Sequence, residues 1–269
     1  MNLLGKRGEL TSHQIVVITI LIISFIVILF LLFRLNLGEE TQKEICHNSI
    51  ILQDRSFFSG PLNCRTNYLC VSGGEDCEDI NPMQTIEVDI NPRPTQEKTE
   101  EDLIKGQIMK SIADEMSDCW WQFGEGKVDY TKGISGTHSC AVCSTVKFDS
   151  SLQNVDLTYG GFYEYLEKTK KGTSSEAYLK YLYGVTSLES LDISESYLNE
   201  NFEFGERYAV ITGMAKEGFS WSGFSIDIEF TLDIFGDDGN IDPSRIIRPV
   251  ILKSSDIDSL NCGDFVTKA

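Results

Sequence analysis

The pattern of apolar and polar positions divides the chain into one long apolar run and a remainder built from amphipathic segments. Residues 15–33 carry no charge and are interrupted only by Thr19 and Ser24. At about 1.5 Å per helical residue such a run is roughly 28 Å long, close to the hydrocarbon thickness of a bilayer. It predicts a transmembrane helix over residues 15–35. Between residues 98 and 123, Ile104, Ile108, Ile112, Met116 and Trp120 recur every four positions, the period of a helix with one buried stripe. Thr99-Glu100-Glu101-Asp102 supplies a capping box at its start, and Gly124 and Gly126 end it.

Other segments alternate with a period of two. Ile86, Val88 and Ile90 alternate with Glu87 and Asp89, ahead of the breaker Asn91-Pro92-Arg93-Pro94. Val146 and Phe148 do the same over residues 144–149, and Ile226, Ile228, Phe230, Leu232 and Ile234 alternate without error. Residues 207–214 and 246–252 are expected to pair with that last strand, with Asp237-Asp238-Gly239-Asn240 as a turn. Residues 159–183 read as helical and strongly aromatic, with Thr173-Ser174-Ser175-Glu176 capping a second short helix.

These elements predict an α+β fold: an N-terminal transmembrane helix, then an extracytoplasmic domain whose mainly antiparallel sheet is packed by one long amphipathic helix and shorter ones. The expected organisation is a basic cytoplasmic N-terminus (1–14), the membrane helix (15–35), a polar spacer (36–43) and one α+β domain (44–269). Within that domain residues 64–77 read as a cysteine-rich cross-linked loop, because Cys64, Cys70 and Cys77 are interleaved with Gly73-Gly74.

Charge sharpens this layout. The chain has 269 residues and a formal net charge of −18. Lys6, Arg7 and Glu9 leave +1 before the apolar run, so residues 34–269 hold −19. So acidic a surface argues against nucleic acid and against docking flat on anionic lipid. Lys6 and Arg7 before the run, and Glu39, Glu40 and Glu44 after it, place the amino terminus in the cytoplasm and residues 36–269 outside. The run is longer than the apolar core of a removable signal, and Arg34-Leu35-Asn36-Leu37 offers no small-residue cleavage site, so an uncleaved single-pass anchor in the cell membrane is expected. All eight cysteines (Cys46, Cys64, Cys70, Cys77, Cys119, Cys140, Cys143 and Cys262) follow the run. An even number on the oxidising side reads as a disulfide framework, although eight cysteines allow 105 pairings. No Asn-x-Ser/Thr acceptor for an N-glycan is present.

Three stretches carry candidate chemistry. Cys140-Ala141-Val142-Cys143, with His138 just before it, admits a redox pair, a zinc site completed by Cys119, or structural disulfides. A β-like segment follows the pair where a redox helix would start, no second CxxC supports zinc, and disulfides are the default. A bond from one of these cysteines to Cys119 would staple the long helix to the neighbouring strand. Asp233, Asp237, Asp238, Asn240 and Asp242 are rich in oxygen ligands, but aligning Gly239 with the glycine of an EF-hand puts Ile234 where the first aspartate belongs. Trp120-Trp121 at a helix end suggests either core closure or a platform for sugar or membrane, and the tyrosines of residues 159–183 either pack helices or stack on ligands. No hydrolase elbow, metalloprotease motif, phosphate loop or dinucleotide fingerprint is present, and no cofactor is implied.

Two resemblances add to this. Lys6-Arg7-Gly8-Glu9-Leu10 resembles the processing site of archaeal type IV pilin-like precursors, which implies cleavage after Gly8 with Glu9 as the first residue. Asp118-Cys119-Trp120-Trp121-Gln122-Phe123-Gly124-Glu125-Gly126, with Cys140-Ala141-Val142-Cys143-Ser144-Thr145-Val146-Lys147-Phe148-Asp149, resembles a group of uncharacterised membrane-anchored proteins of archaea of small-genome lineages. That resemblance implies an archaeal cell surface and brings no activity. The expectation is therefore a surface protein that binds or assembles rather than catalyses, with the lipid bilayer at residues 15–35 and other envelope proteins or copies of itself as partners. A filament subunit processed at Arg7-Gly8-Glu9 is the second reading. An extracytoplasmic redox or zinc enzyme using His138, Cys140, Cys143 and Cys119 is the third.

Overall fold

The structure is a computed structural model, and it describes residues 12–34, 37–55, 62–131, 138–191, 193–215, 246–260 and 262–268. The chain divides into two compact units, Met1–Thr41 and Gln42–Ala269.

The first unit contains helix α1 (Ser12–Arg34). Its described side chains run from Ile15 to Phe30, and every one is exposed. Thr19 and Ser24, the two polar exceptions, donate their hydroxyls to the carbonyls of Ile15 and Leu21 within the helix. Among the described residues no helix is long and apolar enough to cross a membrane, which corrects the expected transmembrane helix at residues 15–35. The spacer expected at 36–43 is helical instead, because helix α2 (Leu37–Arg55) begins there.

Among the described residues the second unit is mixed α/β, with a six-stranded sheet, a two-stranded sheet and helices packed against them. In chain order its elements are the second half of α2, strands β1 (Cys64–Arg65), β2 (Asn67–Ser72) and β3 (Gln84–Glu87), and helix α3 (Glu100–Gln122). Strand β4 (His138–Phe148) and the helices α4 (Tyr159–Lys168), α5 (Tyr178–Tyr183) and α6 (Glu195–Leu198) follow. Strands β5 (Arg207–Ala215), β6 (Ile246–Lys253), β7 (Asp264–Phe265) and β8 (Thr267–Lys268) complete it. The described strands run in the order β3-β2-β4-β5-β6, with β7 also on β4 and β1 paired to β8.

The sheet is mixed, not mainly antiparallel. β3, β2 and β4 are mutually parallel, as are β7 with β4 and β1 with β8. Among the described strands only the β4-β5 and β5-β6 pairs are antiparallel. The reason lies in the connections: α3 intervenes between β3 and β4, and a helical crossover returns the chain to the same end of the sheet. Assigning antiparallel pairing from the C-terminal strands alone misses this. The strand and turn expected at residues 226–240 lie outside the described residues.

Helix α3 starts as its sequence dictates. Thr99 accepts from the Asp102 N–H while the Asp102 carboxylate accepts from the Thr99 N–H, a reciprocal capping box. Ile108, Ile112, Met116, Cys119 and Trp120 are buried, so the four-residue stripe is the face laid on the sheet. The aromatic segment resolves as packing. Tyr159 stacks on Tyr197 and Phe202 at 4.3 Å each, and the Tyr183 hydroxyl donates to the Pro249 carbonyl at 2.8 Å. The Thr173–Glu176 cap does not form. Ala177 is the N-cap of α5, without a side-chain bond, and residues 170–177 instead close through a Lys170–Ala177 bridge.

Buried Asp149 ties the loop after β2 to the end of β4. Its Oδ2 accepts from the Ser72 hydroxyl (2.8 Å) and the N–H groups of Gly73 (3.0 Å) and Glu75 (2.8 Å). Its Oδ1 accepts from the N–H and hydroxyl of Ser151. Burial works to raise this carboxyl, but the bonds from Ser151, Glu75, Ser72 and Gly73 outweigh it and hold the pKa below its ordinary value. Asp149→Ala strands several buried donors, so urea unfolding at neutral pH should show a loss of about 2–4 kcal/mol. A depressed carboxylate stabilises fully above its unfolded pKa of roughly 3.9 and less as pH falls through its lower folded value. The gap between wild type and variant should therefore hold from about pH 7 to 5 and narrow as pH falls below about 4. A gap that does not change with pH would contradict this role.

Candidate functional site

The eight cysteines form four disulfides: Cys46–Cys64, Cys70–Cys77, Cys119–Cys143 and Cys140–Cys262. No cysteine is free. Cys64 and Cys70 sit on strands rather than in one cross-linked loop, so the Cys64–Cys77 stretch is not stapled to itself throughout. Cys46–Cys64 holds α2 to β1, and Cys119–Cys143 holds the last turn of α3 to β4. Cys140–Cys262 anchors the C-terminal segment, whose β7 and β8 lie against β4 and β1.

The CxxC pair is therefore split between two partners. A redox centre needs Cys140 and Cys143 to exchange with one another, and zinc needs thiolates. The sulfurs of Cys119, Cys140 and Cys143 are all spent, and His138, at the start of β4, stands beside no thiolate. Among the described residues no group of three or more His, Cys, Asp or Glu is placed to hold a metal ion. The processing residues Arg7, Gly8 and Glu9, and the acidic stretch Asp233–Asp242, lie outside the described residues.

Polar chemistry gathers instead at the C-terminal end of α3. A cleft of about 350 Å³ is lined by His47 and Ile51 from α2, Trp121 from α3, and Gly124, Glu125, Lys127 and Val128 from the turn that follows. The imidazole of His47 lies flat on the Trp121 indole, centroids 4.1 Å apart and planes at 10°. Its Nδ1 is 2.7 Å from the Trp121 carbonyl. A carbonyl can only accept, so Nδ1 carries a proton and donates to it. Of the two tryptophans, Trp120 closes the core beneath the guanidinium of buried Arg248, 4.7 Å from its ring, while Trp121 forms the cleft.

In the same lining, Glu125 is held by two partners. Its Oε2 accepts from Lys127 at 2.7 Å and its Oε1 from the Tyr181 hydroxyl at 2.8 Å. Lys171 in turn caps the Tyr181 ring at 4.1 Å. Burial pushes the Glu125 carboxyl up, but the bonds from Lys127 and Tyr181, with the charges of Lys127 and Lys171, hold it below its ordinary value. At neutral pH it is a fixed carboxylate, an acceptor rather than a proton donor.

The backbone makes this possible at a cost. Glu125 has φ +55°, left-handed and unusual for a residue with a side chain. It sits between Gly124 (φ +76°) and Gly126 (φ +73°). A Cβ on Gly126 would come within 2.9 Å of the Trp120 ring, so only glycine lets this turn close over the tryptophan. In the sequence, Gly124 and Gly126 read as a helix stop, which they are. Nothing there signalled that Glu125 would meet Tyr181, 56 positions on, or that His47 would stack on Trp121, 74 positions away.

The framework sets an order of stability losses. In the loop-entropy picture, pairwise serine replacement should cost about 5 kcal/mol for Cys140–Cys262, about 3.5 for Cys119–Cys143 and about 2.5 for Cys70–Cys77. Their separations are 122, 24 and 7 residues. Denaturant unfolding of the three double variants checks the ranking, and a reversed order would show that the cross-links act mainly through native geometry.

No family model, no curated protein and no solved structure matches this chain, so its function is read from its own residues.

Proposed function

We propose that this chain is a disulfide-stapled binding and assembly protein of an oxidising, extracytoplasmic compartment, with other envelope proteins or copies of itself as partners. The observation that carries the assembly reading is α1. Its side chains from Ile15 to Phe30 are exposed all round, with Ile20, Leu21, Phe25 and Phe30 more than 60% exposed. A helix that is apolar on every side is stable only when something covers it. Four disulfides that take up all eight cysteines support the compartment, since such frameworks form and persist where thiols are oxidised. The cleft supports binding rather than catalysis: its carboxylate is held ionised, and its histidine is stacked and bonded with no serine, threonine or thiol nucleophile in the lining.

A filament subunit is a special case of this reading, in which α1 packs against α1 of neighbouring copies. The all-round apolar surface favours it, because a helix in a fibre core is surrounded on every side. Sedimentation of the full chain in mild nonionic detergent tests assembly. The wild type should associate with rising concentration, and a variant with Leu21, Ile23 and Phe25 each replaced by glutamate should sediment as a monomer. A wild type that is monomeric throughout, or a variant that associates equally, would overturn the proposal.

A further inference from the structure

The cleft at the end of α3 has a polar and apolar layout that selects a class of ligand. An ionised carboxylate offers about four acceptor sites, two on each oxygen. In Glu125, Lys127 engages Oε2 and Tyr181 engages Oε1, which leaves acceptor capacity on both oxygens. Two free acceptors about 2.2 Å apart on one rigid group match two adjacent hydroxyl donors. His47 adds a further polar ring to the lining, its orientation fixed by the stack on Trp121 and the bond from Nδ1. Ile51, Val128 and the exposed part of Trp121 line the cleft with apolar surface.

Charge narrows the choice. Glu125 and Lys127 neutralise one another, so an anionic ligand meets the carboxylate and a cationic one meets Lys127 and Lys171. A donor-rich, uncharged ligand with an apolar face fits both. The strained turn is consistent with a site: Glu125 is held left-handed in the position that presents its carboxylate here. The volume of about 350 Å³ suits a single small ring.

We infer that this cleft binds a neutral saccharide, with a vicinal pair of hydroxyls on Glu125, another hydroxyl toward His47 Nε2, and the C–H face of the pyranose against Trp121, Ile51 and Val128. The inference concerns the second unit alone. Its failure leaves assembly through α1 standing, and loss of assembly leaves this site intact.

Titrating the full chain with glucose, galactose, mannose and N-acetylglucosamine, with glucuronate and glycerol alongside, tests it by isothermal calorimetry and by NMR of the tryptophan indole signals. At least one neutral pyranose should bind saturably and shift the Trp121 indole, identified by its loss in Trp121→Phe. Glu125→Gln and His47→Ala should each weaken that binding by about ten-fold or more. Ile51→Trp, which fills the cleft without touching the polar groups, should abolish it while circular dichroism stays native. The proposal is overturned if no neutral pyranose binds, if glucuronate binds in preference to all of them, if glycerol binds as well as they do, or if folded Ile51→Trp binds like the wild type.

Discussion

Three consecutive residues at the end of α3 hold the second unit together. Successive side chains on a helix point about 100° apart, so neighbours in sequence face different neighbours in space. Cys119 is bonded covalently to Cys143 on β4. Trp120 lies under the Arg248 guanidinium from β6. Trp121 lies under His47 from α2. One helical turn thus joins the middle of the sheet, its far strand and the first helix of the domain. The glycine-flanked turn that follows can hold Glu125 in a left-handed conformation because the residues just before it are fixed so firmly.

The same logic governs the polar groups taken out of water. Buried Glu115 meets Lys43 at 3.1 Å, and Lys43 also reaches Asp118 at 2.7 Å, which secures α2 along α3. Arg248, buried on β6, donates to the Leu182 carbonyl, and burial lowers its pKa to about 10, still a cation at neutral pH. Each buried charge bridges two elements that the hydrophobic core alone would leave free to slide. Desolvation makes such contacts of uncertain net stability, but it makes their loss costly, and that selects one arrangement over its neighbours.

The functional reading follows from where rigidity and exposure fall. Cross-links, capping and buried charge pairs concentrate in Gln42–Ala269, which presents a preformed polar cleft. The apolar surface still exposed concentrates in α1. The split of Cys140 and Cys143 between two partners leaves no thiol pair at the CxxC motif.

Local information was legible in the chain. The capping box at Thr99 and Asp102, the four-residue stripe of α3, strands β3, β5 and β6, and the staple from Cys119 to the CxxC pair all depend on residues near one another or on a single period. The Thr173–Glu176 cap and the transmembrane reading of residues 15–35 were local readings that the structure replaced. Strand direction was not legible, because β2, β3 and β4 become parallel through crossovers whose geometry no alternation pattern encodes. Nor was the cleft: His47, Glu125 and Tyr181 are unremarkable in sequence and acquire meaning only when α2 and α5 close around the end of α3. Propensity and periodicity are properties of short segments, so the chain by itself determined its helices and strands and its oxidised cysteine chemistry. Which cysteines pair, which way the strands run and which side chains share a cleft are set by contacts between distant residues, and the tertiary structure alone decided them.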